Sequence, residues 1–259
     1  MQNKNTSYHP ESYWSEVAQR IDSRGERNVI AGDDEPYYHY KRQRFLELLN
    51  GLAFDGKSVL ELGSGPGGNL HEIHKHQPAR LVGADISANM IQLARKNLGV
   101  KNDIELVKID GERLPFADQE FDLAFTATVL QHNTDEAMMQ KILFELCRVT
   151  ARELVLFEQI NQTISGDELM KGRPVAYYEQ LCNEKGFILK DVEFININIS
   201  YYVCGAIRKG LNPAKRKEGE PLSGISLFLE NTLLPVTKRL DRVFKAEKDL
   251  ARLIFHRKA

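Results

Sequence analysis

Residues 59–73 read VLELGSGPGGNLHEI. A short apolar run carries one acid, Glu61, and then breaks. Four glycines and a proline follow between positions 63 and 68, and a helical pattern begins behind them. A chain uses glycine in this way where its backbone must turn sharply and let something approach without a Cβ in the path. Gly63, Gly65 and Gly68 fit the spacing GxGxxG, which adenosine-containing cofactors of more than one class share. Asp85 stands 22 positions after Gly63, at the end of the next apolar run. A carboxylate there suits the two hydroxyls of a ribose. The stretch therefore predicts a cofactor loop between a strand and a helix.

Reading outward from it, short apolar runs alternate with longer helical patterns. SVLEL (58–62), ARLVGADI (79–86), IELVKID (104–110), FDLAFT (121–126) and ELVLFEQ (153–159) read as strands. SANMIQLARKNL (87–98), with Ser87 as its cap, and DEAMMQKILFELCRVT (135–150) read as helices between them. Such alternation predicts an α/β fold with a parallel sheet covered on both faces. Two further helical patterns precede the loop, one through Trp14, Val17 and Ile21 and one over 37–52. Between them, RGERNVIAGDDEP (24–36) reads as a loop, and residues 1–9 read as disordered. After the fifth strand come a helix at 177–187, a long strand region at 188–203 and a last strand at 248–258. The expected organisation is a helical cap at 1–55, a core at 56–206, a helical insert at 207–247 and a final core strand at 248–259.

The bulk properties exclude several classes. The formal charge is −1, so no general electrostatic attraction to nucleic acid is expected. Cys147, Cys182 and Cys204 are odd in number and widely spaced, which suits buried free thiols rather than a disulfide framework or a CxxC metal site. No apolar run approaches the ~18 residues of a spanning helix, and the first ten residues hold no apolar signal core. These features predict a cytoplasmic protein. His71 and His74 lie three apart at a helix end without an accompanying acid or cysteine constellation, so no metal site is expected. The cluster Lys215, Arg216 and Lys217 lacks interleaved aromatics and reads as a solvated turn.

Two acids separate the classes of cofactor. Glu61 puts negative charge two residues before the first glycine, which suits an ammonium or sulfonium and not a pyrophosphate. Asp110 ends the third strand, where it can accept from an exocyclic amine. With these in place, VLELGSGPGGNL, VGADIS and IDGERLPFADQEFDLAFTATVLQH resemble the class I S-adenosylmethionine-dependent methyltransferase family, in its small-molecule branch. The resemblance covers about residues 56–160 closely. It implies a Rossmann-like seven-stranded sheet of order 3-2-1-4-5-7-6, with strand 7 antiparallel. It also implies S-adenosyl-L-methionine as cofactor. Glu61, Gly63, Ser64 and Gly65 would surround its methionine part, and Asp85 its ribose. Ile86 and Met90 would pack on the adenine, Asp110 and Gly111 would meet the adenine edge, and Thr126 would lie near the methionine carbons. An NAD-dependent oxidoreductase is the alternative. Glu61 and Asp110 count against it, and no suitably placed Tyr-x-x-x-Lys pair accompanies the loop.

The expected reaction is methyl transfer to a small molecule, most readily at oxygen, with N- or C-methylation as the alternatives. His132, directly after strand four, is the expected base; Glu158, after strand five, is the second candidate. The segment TATV lacks the Asn/Asp-Pro-Pro-Tyr signature of nucleobase or amide methylation. Tyr37 and Tyr38 are expected at the acceptor. In SGISLFLENTLLPVTKRLDRVF (223–244), Ile225, Phe228, Leu229, Val236, Leu240 and Val243 fall near one helical face, and Pro235 should split or kink the helix. That stripe is expected to pack on the N-terminal helices and roof the site; a homodimer through 223–245 or a lipid surface are the other ways to cover it.

Overall fold

The computed structural model describes residues 9–23, 35–99, 103–212, 222–245 and 249–258. The loop over 24–34, residues 1–8 and the cluster at 215–217 lie outside them. Seven strands form one sheet: β1 (Ser58–Leu62), β2 (Arg80–Asp85), β3 (Ile104–Lys108), β4 (Phe121–Ala127), β5 (Thr150–Ile160), β8 (Phe187–Phe194) and β9 (Asp249–Arg257). A two-residue pair, β6 (Ser165–Gly166) and β7 (Lys171–Gly172), makes a separate hairpin. The order is β3-β2-β1-β4-β5-β9-β8. The first five strands pair in parallel, and β9 runs antiparallel to both β5 and β8. This is the expected sheet.

The strands are apolar because both faces are covered. Alternate residues of each strand serve two cores. Leu60, Val82, Ala124 and Leu154 face α5 (Glu136–Val149) and α6 (Val175–Glu184). Val59, Leu81, Leu123 and Val155 face α2 (Pro36–Leu49) and α3 (Gly68–His74). The helix α4 (Ala88–Leu98) starts where Ser87 was expected to cap it: the Ser87 hydroxyl accepts from the Met90 N–H at 3.2 Å. The first helix, α1 (Pro10–Ser23), packs Val17, Ala18 and Ile21 on Met90 and Leu93 of α4. All three cysteines are free and buried.

Beyond β8 the structure departs from the sequence reading. The strand stops at Phe194, and residues 198–211 form the helix α7 (Asn198–Leu211) rather than more strand. The reason is a cap supplied from far along the chain. Asp241 accepts from the N–H groups of Ile199 and Ser200 through one oxygen and from the Ser200 hydroxyl through the other. These bonds satisfy orphan donors at the helix start, and no local residue announces them. Asp241 ends α8 (Gly224–Asp241), which packs along α7 and runs through Pro235 as one continuous helix. The helical unit after the core thus begins at 198, not at 207.

Candidate active site

The carboxyl ends of β1, β2 and β4 open into a cavity of about 590 Å³. That is the edge at which parallel α/β sheets bind ligands, and the size is that of a small-molecule site. Its floor is the glycine loop: Gly63, Ser64, Gly65, Pro66 and Gly68 all line it, with Asp85, Ile86 and Met90 beside them. The two leading glycines differ in their reason. At Gly63 (φ +75°) a Cβ would come within 2.2 Å of the Val129 side chain, so this glycine admits a neighbouring loop. At Gly65 (φ +51°) a Cβ would meet no protein atom within 4 Å. Gly65 thus leaves open space on the cavity floor.

Two buried acids sit at this floor. Asp85 accepts from the Gly65 N–H at 2.9 Å and from the Ser87 N–H at 2.8 Å. Burial pushes its carboxyl up, and the two donors pull it back only in part. Glu61 is fully buried behind the loop. Its Oε1 accepts from Asn69 at 2.6 Å, and Asn69 in turn accepts from Arg42 at 2.5 Å. Burial raises the Glu61 carboxyl to about 8 against the pull of Asn69 and Arg42. Its second oxygen and the Ser64 hydroxyl are buried with no hydrogen-bond partner. Such groups are costly unless something completes them. A cation bearing N–H donors would do so for both, which is the chemistry of an amino-acid ammonium next to a sulfonium.

The opposite wall is the turn after β4. Thr128 lines the cavity at φ +59°, a strained conformation for a β-branched residue. Glu158 holds the turn in place. Its oxygens accept from the Thr126 hydroxyl and from the N–H groups of Val129, Leu130 and Gln131, at 2.8–3.1 Å. Glu158 is wholly buried and faces these donors rather than the cavity. It is a structural anchor, in place of the base expected as the second candidate. Thr126 is likewise buried and committed to Glu158; Ala127, Thr128 and Val129 take the cavity-facing place expected for it.

His132 does line the cavity. Its Nδ1 lies 2.8 Å from the Leu169 carbonyl, which can only accept. Nδ1 therefore carries a proton, and in the neutral tautomer that this selects the lone pair lies at Nε2. Gln131 agrees with that tautomer. Its oxygen accepts from the Gln159 N–H at 3.0 Å, so its amide nitrogen donates, and that nitrogen is 3.3 Å from His132 Nε2. Trp14 of α1 packs edge-on against the imidazole, with ring centroids 5.0 Å apart.

Other expected residues are displaced. Asp110 is exposed; its Oδ1 accepts from the N–H groups of Glu112 and Arg113, shaping the turn, while Ile109 and Gly111 beside it line the cavity. Tyr37 is buried in the core, where burial drives its phenol far above the usual range, and only Tyr38 of the pair reaches the cavity. The roof is also different. Trp14, Val17 and Ile21 of α1 and Tyr38, Lys41, Arg42 and Phe45 of α2 line the cavity, whereas no described residue of α7 or α8 does. The insert instead braces α2 from behind: Arg208 of α7 lies 2.7 Å from Glu35 and stacks over the Tyr38 ring at 4.5 Å. Sequence reasoning missed Arg42, Asn69 and Gln131, whose roles depend on partners distant in sequence. It also missed Arg173, a fully buried side chain that donates to the Leu130 and Asn133 carbonyls and pairs with Glu136, tying the β7 hairpin to the wall of the site.

Residues 59–153 match the family model described as a methyltransferase domain. That span contains the glycine loop, both floor acids and the strained turn. Over that span the chain is similar to methyltransferase domains, and its sheet has the order that the class I S-adenosylmethionine-dependent family implies. A malonyl-[acyl-carrier protein] O-methyltransferase of Legionella pneumophila is 35% identical over 97 residues, 37% of this chain and 34% of that protein. The ubiquinone/menaquinone biosynthesis C-methyltransferase UbiE of Haemophilus ducreyi is 32% identical over 106 residues, 39% of this chain and 41% of that protein. The chain thus spans well under half the length of these relatives. Among solved structures, magnesium protoporphyrin IX methyltransferase from Synechocystis superposes with a TM-score of 0.60 at 13% identity, covering 96% of this chain and 98% of that one. The [4+2]-cyclase SpnF superposes at 0.65 and 14% identity, covering 96% and 95%. Both establish the fold.

Proposed function

We propose that this protein is an S-adenosylmethionine-dependent methyltransferase whose acceptor is a small molecule methylated at oxygen. The observation that carries the reading is the division of one cavity. Its floor holds open Gly65, Asp85 and the incompletely partnered Ser64, with Glu61 behind them, and its far wall holds His132 with the lone pair at Nε2. When bound, S-adenosylmethionine supplies an electrophilic methyl group on a sulfonium. Glu61 and Ser64 would hold the ammonium end and Asp85 the ribose, with Ile86, Met90 and Ile109 around the adenine. His132 would accept the proton of an acceptor hydroxyl, at the cost of exchanging its contact with Gln131 for one with the acceptor. Leu169 and Trp14 would keep the ring in place while it does so. Trp14, Phe45 and Val129 would exclude water from the transfer.

Away from the glycine loop the lining is largely aromatic and aliphatic, and its charges are mixed: Lys41, Arg42 and Arg113 with Glu35, Glu112 and Glu145. This composition suits an acceptor with an apolar ring or chain, a natural product or quinone-like compound more than a sugar. The relatives include an O- and a C-methyltransferase by name, and SpnF is named a cyclase, so the shared fold does not choose the atom. The choice of oxygen rests on His132. The test is incubation of the protein with methyl-labelled S-adenosylmethionine and a panel of phenols, quinols and hydroxy acids, followed by mass spectrometry. Label should appear as a methyl ether or ester. In His132→Ala, turnover should fall ~10²–10⁴-fold while cofactor affinity is kept. Label on carbon or nitrogen, or a His132→Ala enzyme of normal rate, would refute the reading.

A further inference from the structure

The α7–α8 hairpin turns the usual arrangement of a surface helix pair inside out. The inward face of α8 is formed by Ser226, Glu230, Leu234, Thr237 and Asp241. Four of these five are polar, and they are matched against polar groups of α7. Arg208 forks onto Glu230 at 2.5 and 2.9 Å, and Ser200 bonds Thr237 and Asp241 at 2.8 and 2.5 Å. The apolar residues point outward. Ile225 is 65% exposed, Phe228 68%, Val236 55% and Val243 72%, and Leu240 and Phe244 are exposed with them. On α7, Tyr201 and Tyr202 are more than half exposed. A contiguous apolar helix face in solvent is uncommon unless it meets something.

Charge indicates what it meets. The only acids of α7 and α8 are Glu230 and Asp241, and both are buried in the network just described. The exposed charges of the described hairpin are Lys209, Arg239 and Arg242, with Lys245 following α8, and all are basic. The chain as a whole is near neutral, so this local basicity is not a general property of its surface. A two-fold contact between copies would pair this basic face with itself, with no exposed acid among the described residues of α7 and α8 to offset the charge. Aromatic and aliphatic side chains flanked by Arg and Lys, on a helix lying along a surface, are the chemistry of the lipid–water interface. No described helix is long and apolar enough to cross a membrane, so the contact is one of lying on the surface.

We infer that the outer face of α8, with the tyrosines of α7, docks on an anionic phospholipid bilayer. Phe228, Ile225, Val236 and Val243 enter the acyl boundary, and Arg239, Arg242 and Lys245 meet the headgroups. The same hairpin braces α2, whose Tyr38 lines the cavity, through its inner face.

The full chain is mixed with vesicles of equal parts phosphatidylglycerol and phosphatidylcholine, and with vesicles of phosphatidylcholine alone, and bound protein is separated by flotation. The wild type should float with the anionic vesicles, stay behind with the neutral ones and be released in ~1 M salt, where charges are screened within a few ångströms. Phe228→Asp with Val243→Asp should weaken partition ~10-fold or more. Arg239→Glu with Arg242→Glu should do the same. All four side chains are exposed, so circular dichroism and S-adenosylmethionine affinity should be unchanged, which separates loss of docking from loss of fold. The inference is overturned if the wild type fails to float with anionic vesicles, or if the variants float equally well. A stable dimer that Phe228→Asp splits, without lipid binding, overturns it in favour of self-association. The readout is partition, so it is independent of which acceptor is methylated.

Discussion

The glycine-loop half of the core and the α7–α8 hairpin treat polarity in opposite ways. In the core, apolar strands are buried on both faces, and at the glycine loop the second oxygen of Glu61 and the Ser64 hydroxyl are buried without a partner, beside Asp85. In the hairpin, the buried polar groups complete one another, and the apolar residues are left outside. A buried polar group without a partner beside a cavity is one that a ligand can complete. A buried polar network that closes on itself marks a structural element whose other face is free for docking. The same residue types therefore carry different meanings in the two regions, and only partner lists tell them apart.

The sharpest way to break this contrast is to cut the network inside the hairpin. Arg208→Ala leaves the buried Glu230 carboxylate without this cation, which should cost about 3–5 kcal/mol in urea unfolding. Phe228→Ser, on the opposite face of the same hairpin, should change stability by less than ~0.5 kcal/mol. Comparable losses from both would mean that the outer face is packed after all.

The floor of the site offers the next largest effect. Gly65→Val would place a branched side chain in the open space and strain a backbone at φ +51°. It should lower S-adenosylmethionine affinity by ~100-fold or more, read by calorimetry, because the ligand's own space is filled. Gly63→Val should instead lower thermal stability through its collision with Val129. If the two variants behaved alike, the distinct roles of these glycines would be lost.

A smaller and more specific effect is expected from pH. The folded free protein holds a proton on Glu61 up to about pH 8, whereas the unfolded chain releases it in the usual carboxylate range. Between these limits the folded state binds more protons, so this group's contribution to stability declines as pH rises through the window. Glu61→Gln should flatten that decline. A cationic ligand favours ionised Glu61, so cofactor binding near pH 7 should release protons, and affinity should improve as pH rises towards 8. Calorimetry in buffers of differing ionisation enthalpy measures the release. A wild type that binds without releasing protons, or a Glu61→Gln variant that releases them equally, would remove Glu61 from the cofactor's surroundings.

Much of the core was legible in the sequence because its signals are local. The GxGxxG spacing, Asp85 at the end of β2 and the Ser87 cap each lie within a few residues of what they organise. The errors arose where a side chain is recruited from afar. Residues 198–203 alternate like a strand, yet they are helical because Asp241 caps them from 42 positions away. Thr126 and Glu158 sit at the expected strand ends, but each satisfies the other and the 129–131 backbone, so the cavity passes to Thr128 and Val129. The helical stripe of 225–243 was identified correctly as a face. Its direction could not be read, because that depends on Arg208 and Ser200 offering the opposite face a closed set of partners.

The central claim is that the cavity at the carboxyl edge of β1 and β2 is an S-adenosylmethionine site organised by Asp85 and Gly65. Isothermal titration of S-adenosylmethionine into wild type and Asp85→Ala, each shown folded by its melting curve, tests it most directly. The wild type should bind one equivalent, and Asp85→Ala should lose about 1.5–3 kcal/mol of binding free energy through the loss of charge-assisted hydrogen bonds. A folded wild type that takes up no S-adenosylmethionine, or an Asp85→Ala variant with undiminished affinity, would contradict it.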